Sequence, residues 1–194
     1  MLVYKKKNMD DKIDKNLDDS QLIAQYINGD KKSLEVLIKK YLNPIYGFVY
    51  KNVGDKPAAE DITQEVFIKV WKNIKKFDQK RDFKPWIFQI AKNTSIDYLR
   101  KKKTIPFSRF ENEKGQNVLL ENIAPESQNI VELLNNKRVV QLALETLSAE
   151  DKNIINLRHT DGMSFKEISE TLEKSINTVK SRYRRIIANL KKVV

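Results

Sequence analysis

The 194-residue chain contains no cysteine, which removes disulfide bonds and thiolate metal sites from consideration. Its one histidine, His159, cannot build a zinc site without several carboxylate partners. Five glycines, Gly29, Gly47, Gly54, Gly115 and Gly162, lie too far apart for a phosphate-cradling loop, and neither GxxxxGKS/T nor GxGxxG occurs. No run of about eighteen apolar residues exists, so no membrane insertion is expected. Lys5, Lys6 and Lys7 are followed by Asn8, Met9, Asp10 and Asp11 instead of an apolar stretch, so the start does not read as a signal peptide. These absences point to a cytoplasmic protein with no cofactor, no metal and no enzymatic role.

Positive charge is abundant. The net charge is +11 and the isoelectric point near 9.6, while 40% hydrophobic content suffices for ordinary cores. The cations are clustered, which favours a polyanionic partner, with nucleic acid first in line. Residues 1–17 are polar and are expected to form a loose arm. From Asp18, four helical segments follow: Asp18 to Asn28, Lys31 to about Asn52, Lys56 to about Lys75, and about Phe83 to Lys102. Pro44 in the second is expected to kink it, whereas Pro57 and Pro85 fall where a first turn accepts proline. Residues 104–128 carry Pro106, Gly115 and Pro125 with an acidic bias and read as a flexible linker. A second helical set occupies residues 129–194: about Ile130 to Thr146, then Ala149 to Thr160 capped by Ser148, then a closing pair. The fold class expected is all-α, two small helical bundles joined by the linker.

The closing pair is a helix-turn-helix pattern. Phe165, Ile168 and Leu172 keep a helical period, Glu173-Lys174-Ser175 break it, and Ile176, Val179, Tyr183, Ile186 and Leu190 resume it. Ser164 with Glu167 forms a capping box, and Ser175 suits the second N-cap. From Lys174 onward Lys180, Arg182, Arg184, Arg185, Lys191 and Lys192 occur without one acidic residue. Such a helix suits a DNA major groove, with Asn177, Thr178 and Ser181 at the base-reading end; a basic amphipathic helix also fits a membrane surface or a solvated face.

Two other segments carry unusual patterns. On the third helix Asp61, Gln64, Glu65 and Ile68 share one stripe, an acidic patch in a basic protein. It either serves the positive end of its helix or docks a basic partner helix. The fourth helix is expected to bury Ile87, Ile90, Ala91, Thr94 and Tyr98 and to present Lys84, Trp86, Gln89, Lys92, Asn93, Asp97 and Arg100 elsewhere. Amides among cations beside an exposed aromatic fit a surface that holds phosphates and stacks unpaired bases. Trp86 as a core residue and the Lys101–Lys103 run as a solvated helix end are the simpler alternatives.

AEDITQEVFIKVW, FKPWIFQIAKNTSIDYLRKK and LSAEDKNIINLRHTDGMSFKEISETLEKSINTVKSRYRRIIANL, in that order, resemble the extracytoplasmic-function (ECF) sigma factors of bacterial RNA polymerase. The likeness spans about Asp18 to Lys192. It implies a sigma region 2 domain over 18–103 and a region 4 domain over 129–194. It further implies that Asp61, Gln64 and Glu65 dock on RNA polymerase core. Lys84, Trp86, Gln89, Lys92, Asn93, Asp97 and Arg100 would recognise the minus-ten promoter element as it melts to single strands. Asn177, Thr178, Lys180, Ser181, Arg182, Arg184 and Arg185 would read the minus-thirty-five element as duplex. The same likeness allows an anti-sigma inhibitor as partner. Many relatives have Gly where this chain has Glu173, so its helix-turn-helix turn is expected to be shaped differently. A stand-alone helix-turn-helix regulator is the competing function; it would bind palindromic duplex without polymerase.

Overall fold

A computed structural model describes residues 17–104, 144 and 146–191, and all regular structure among them is helical. The arm expected over 1–17, the linker and the helix from Ile130 to Thr146 fall almost wholly outside these residues. Helix α1 is Asp19–Ile27, α2 Lys31–Val53, α3 Lys56–Asn73 with a 3-10 turn at Ile74–Lys76, and α4 Phe83–Thr104. After the gap come α5 Ala149–His159, α6 Phe165–Leu172 and α7 Ile176–Lys191. The expected ends hold to within two or three residues.

Local chemistry explains most of those ends. Asp18 and Gln21 form a reciprocal capping box on α1, Asp30 caps α2, and Asp55 caps α3 with Pro57 in the first turn. Gly54 closes α2 at φ 72°, a conformation that costs glycine little because it has no Cβ. Helix α2 runs unbroken through Pro44, whose exposed position leaves its missing N–H on the solvent side.

In the N-terminal module α1 to α4 pack around Leu22, Leu37, Ile45, Phe48, Ile62, Val66, Val70, Ile87 and Phe88. Phe48 meets Phe88 edge to face at 5.3 Å, joining α2 to α4. The buried side of α4 is Ile87, Phe88, Ala91, Thr94 and Ser95; Ile90 and Tyr98, expected there, are only half-buried. Hydroxyls on that side are satisfied locally: Ser95 donates to the Ala91 carbonyl and Thr94 to that of Ile90, each at 2.8 Å. In the C-terminal module α5, α6 and α7 enclose Ile154, Leu157, Met163, Ile168, Val179 and Ile186. The two modules also touch. Helix α6 lies against α4, bringing together segments about eighty residues apart in sequence.

Candidate polymerase and nucleic-acid surfaces

The period of α3 separates two faces. Ile62, Val66, Val70 and Ala59 are buried, and Asp61, Gln64 and Glu65 stand exposed on the other side. Glu65 pairs with Lys69 at 2.8 Å one turn on, a surface contact worth only a few tenths of a kcal/mol. Lys69 also donates to the Thr94 hydroxyl at 3.0 Å and so ties α3 to α4. The stripe continues into large apolar groups: Ile68 is 50% exposed and Trp71 57%. Sequence reasoning missed Trp71, although it follows Gln64 by seven residues and Ile68 by three, the spacing of one helical face.

The seven candidates on α4 do not form one open face. Asn93, Asp97 and Arg100 are exposed. Lys84 is half-buried and donates to the backbone carbonyl of Asp161. Lys92 pairs with the Glu173 carboxylate at 2.9 Å, leaving its side chain 11% exposed. Gln89 is half-buried and adds to the interactions that, with Lys92 foremost, hold the Glu173 carboxyl below its usual range. Trp86 follows the simpler, core-like alternative in large part: its ring packs at 4.8 Å from Phe77 and 5.5 Å from Phe83. One part of it still lines a groove of about 580 Å³ with Lys69, Asn73, Lys76, Arg81 and Ile90. That groove was not anticipated, because its residues come from three separate segments.

On α7 the helical period again decides. Val179 and Ile186 are buried, with Tyr183 packed edge to face on Phe165 and in contact with His159, its hydroxyl 3.1 Å from Nε2. Asn177, Ser181, Arg184 and Arg185 fall at i, i+4, i+7 and i+8 and are all exposed, forming a single polar and cationic face. Ser175 caps the helix, accepting from the Thr178 amide at 3.1 Å and lying 2.8 Å from its hydroxyl. Thr178 is therefore partly committed to the cap, and Lys180 is half-buried at the edge of the face.

Arg182 has a different setting from its expected companions. Its guanidinium donates to Glu150 at 2.6 Å and to Asp151 at 3.4 Å, both in the first turn of α5. Position 182 is three residues after buried Val179 and four before buried Ile186, so it borders the packed stripe and not the outer face. Lys174 reaches the same Glu150 at 3.5 Å.

The turn between α6 and α7 also departs from expectation. Glu173 adopts φ 56° and ψ 42°, the left-handed conformation a glycine would supply, so the turn keeps that shape despite the side chain. The Glu173 amide donates to the Glu170 carbonyl at 3.3 Å and the Lys174 amide to that of Ser169 at 3.0 Å. A side chain there costs about 1 kcal/mol or more relative to glycine.

Comparison with known proteins accords with this geometry. The family model for Sigma-70 region 2 matches residues 37–105, and the model for Sigma-70 region 4 matches residues 137–190. The ECF RNA polymerase sigma factor SigW of Bacillus subtilis is 32% identical over 84% of this chain and 89% of its own length. The ECF RNA polymerase sigma-E factor of Escherichia coli is 30% identical over 86% and 88% respectively. The sigma factor RpoE of Bartonella quintana, solved with the anti-sigma factor NepR, superposes with a TM-score of 0.63 over 84% of this chain and 96% of that one. At 22% identity it supports the fold alone. Two modules in the order of regions 2 and 4, and relatives matched along most of their length, place this chain in the ECF group of bacterial RNA polymerase sigma factors.

Proposed function

We propose that α3 is the polymerase-docking element of this transcription initiation factor, that α4 captures the unpaired minus-ten strand, and that α7 reads the minus-thirty-five duplex. As a sigma factor the protein binds RNA polymerase core and directs it to specific promoters, and it recognises and helps melt promoter DNA. It acts in the cytoplasm and catalyses no reaction itself. Family membership also makes an anti-sigma inhibitor a candidate partner.

The observation that carries the division of labour is the presence of two chemically distinct polar surfaces on separate modules. The outer face of α3 is acidic and amide-bearing with apolar Ile68 and Trp71 beside it, suited to a basic protein helix and hostile to phosphate. The outer face of α7 has Arg184 and Arg185 next to Asn177 and Ser181, and the polar groups sit nearest its N-terminus, which enters a major groove first. On α4, Asn93 and Arg100 lie on an exposed polar surface, and the groove beside Trp86 offers cations for phosphate and an aromatic wall for a base. Duplex grooves display only base edges, whereas melted bases can be stacked and pocketed, so a promoter opener needs both kinds of surface. A stand-alone regulator has no use for the α3 stripe.

Reversal of charge at two exposed positions tests the docking role without touching the core. Asp61→Lys with Glu65→Lys is expected to weaken core-polymerase binding by more than about 30-fold while the thermal melt stays unchanged. Co-purification with polymerase and run-off transcription read the outcome. Unaltered co-purification would remove α3 from the docking role.

A further inference from the structure

We propose that Ile176, the first residue of α7, selects thymine in the minus-thirty-five duplex by packing on the C5 methyl group of that base. The inference deepens the assignment of α7 to duplex reading made above and rests on it.

Helical period groups Ile176 with Val179, Tyr183, Ile186 and Leu190, yet the structure leaves it out of their packing. Among the described residues it is the one large apolar side chain of the C-terminal module that stands exposed, at 38%, and it joins neither the core nor the side chains packed around that core. A single exposed isoleucine is ordinary on a protein surface. Its place gives this one a use. It opens the helix whose first turn enters the groove, and Asn177 follows it with an exposed amide.

That first turn is held in a fixed shape. The Ser175 hydroxyl accepts from the Thr178 amide at 3.1 Å and the Ser175 carbonyl from the Val179 amide at 3.1 Å, while buried Val179 and Ile186 anchor the helix. A β-branched side chain in a helix has one strongly favoured rotamer, so Ile176 loses little freedom on contact. Lys180 follows Ile176 by one turn, as Ser181 follows Asn177, so a cation stands behind the apolar group and a hydroxyl behind the amide. No acidic residue occurs in the first turn to repel phosphate.

Base chemistry then decides what an isoleucine can recognise. In the major groove every base presents hydrogen-bonding groups, and thymine adds a methyl group that is the groove's one apolar feature. Ile176 brings neither donor nor acceptor. Set against guanine, adenine or cytosine, it strips water from a polar edge and returns no hydrogen bond. Set against thymine, it buries methyl on methyl. The preference therefore has an attractive part and a repulsive part, and both favour the same base.

Deoxyuridine isolates the attractive part, because it pairs as thymine does and lacks only the methyl group. Polymerase holoenzyme carrying this chain is used to select duplexes from a pool randomised across the upstream element. The selected duplex is then remade with deoxyuridine in place of each thymine in turn. One such replacement is expected to weaken binding about 3- to 5-fold, the size of one methyl-sized group withdrawn from water. Ile176→Ala should bind the thymine and deoxyuridine duplexes equally, and Ile176→Val should keep part of the difference; both should melt as the unaltered chain does, since the site is exposed. Absence of any methyl effect in the unaltered chain overturns the proposal, as does the same effect persisting in Ile176→Ala. Arg185→Ala on the same duplex separates this failure from that of the underlying assignment. Weaker binding there with no methyl effect leaves α7 as the duplex reader and removes Ile176 alone, whereas unchanged binding in both Arg185→Ala and Ile176→Ala removes α7.

Discussion

Helices α4 and α7 have similar composition on their polar sides and very different surroundings. Both offer amides and cations at helical spacing, yet Asn177, Ser181, Arg184 and Arg185 meet water together, whereas Lys84, Gln89 and Lys92 lie against α6 or the turns beside it. The contrast teaches that a charge stripe becomes a binding surface only through what the rest of the chain leaves uncovered. Among the described residues, helix α7 packs on α5 and α6 along one side and leaves Asn177, Ser181, Arg184 and Arg185 facing outward on the other. Helix α4 is packed on one side by its own bundle and on another by a module that follows it after a long interval.

The comparison can be broken most forcefully at the module that both helices share. Ile168 is wholly buried in α6, so Ile168→Ala should cost about 2–5 kcal/mol of C-terminal module stability. Duplex binding through α7 should be lost near the lowered melting temperature, while α1 to α4 keep their helical signal; circular dichroism and footprinting read both. Equal melting of the N-terminal bundle would show that the modules do not fold separately.

A smaller effect sharpens the distinction between the two surfaces. Arg185→Ala should weaken upstream-duplex binding in the polymerase complex by about tenfold and reduce the salt slope by about one. Asn93→Ala should instead impair strand opening, with the upstream footprint kept. Loss of both activities in either variant would contradict the split between α7 and α4.

The smallest expected effect is on pH dependence. Burial pushes the Asp161 carboxyl up to about 6 from its ordinary 3.8, against the lowering effect of Lys51 from α2 and Lys84 from α4. The cavity of about 880 Å³ where it sits is also lined by Asp18, Asp19, Lys40, Arg81, Asp82 and Glu167. Because the folded chain holds this proton more tightly than an exposed carboxyl would, the contribution of Asp161 to stability is fully present below about 3.8 and fades as pH rises through about 6. Glu173, whose carboxyl is held low by Lys92, contributes in the opposite sense and loses its contribution only under more acidic conditions. The contribution of Asp161 to the melting temperature should therefore rise modestly from pH 7.5 to 5.5, and Asp161→Asn should flatten that change. An identical pH profile in the variant would remove Asp161 from the interface.

Much of the fold was legible because its causes are local. Ser148 caps its helix and Ser164 with Glu167 caps the next as their spacing indicates, and the four-residue repeat of Ile62, Val66 and Val70, continued by Ile74 in the 3-10 turn, is the buried edge of α3. The exposed stripe of Asp61, Gln64 and Glu65 opposite that edge was legible for the same reason. The acidic partners of Arg182 were not legible, although periodicity marks its place: counted from Val179 and Ile186, it lies beside the core, where Glu150 and Asp151 hold it. The packing partners of Trp86 were not legible, because Phe77 precedes α4 and Phe83 opens it, and no periodic signal announces an aromatic cluster assembled across a bend.

The chain's own order of residues determined where helices begin and end, which sides are apolar, and that two cationic modules flank an acidic interval, since propensity, capping and periodicity act within a few residues. Tertiary structure alone decided which cations remain available. Lys92 and Glu173 are 81 positions apart, as are no two residues linked by a helical repeat, and their contact depends on how α6 settles on α4.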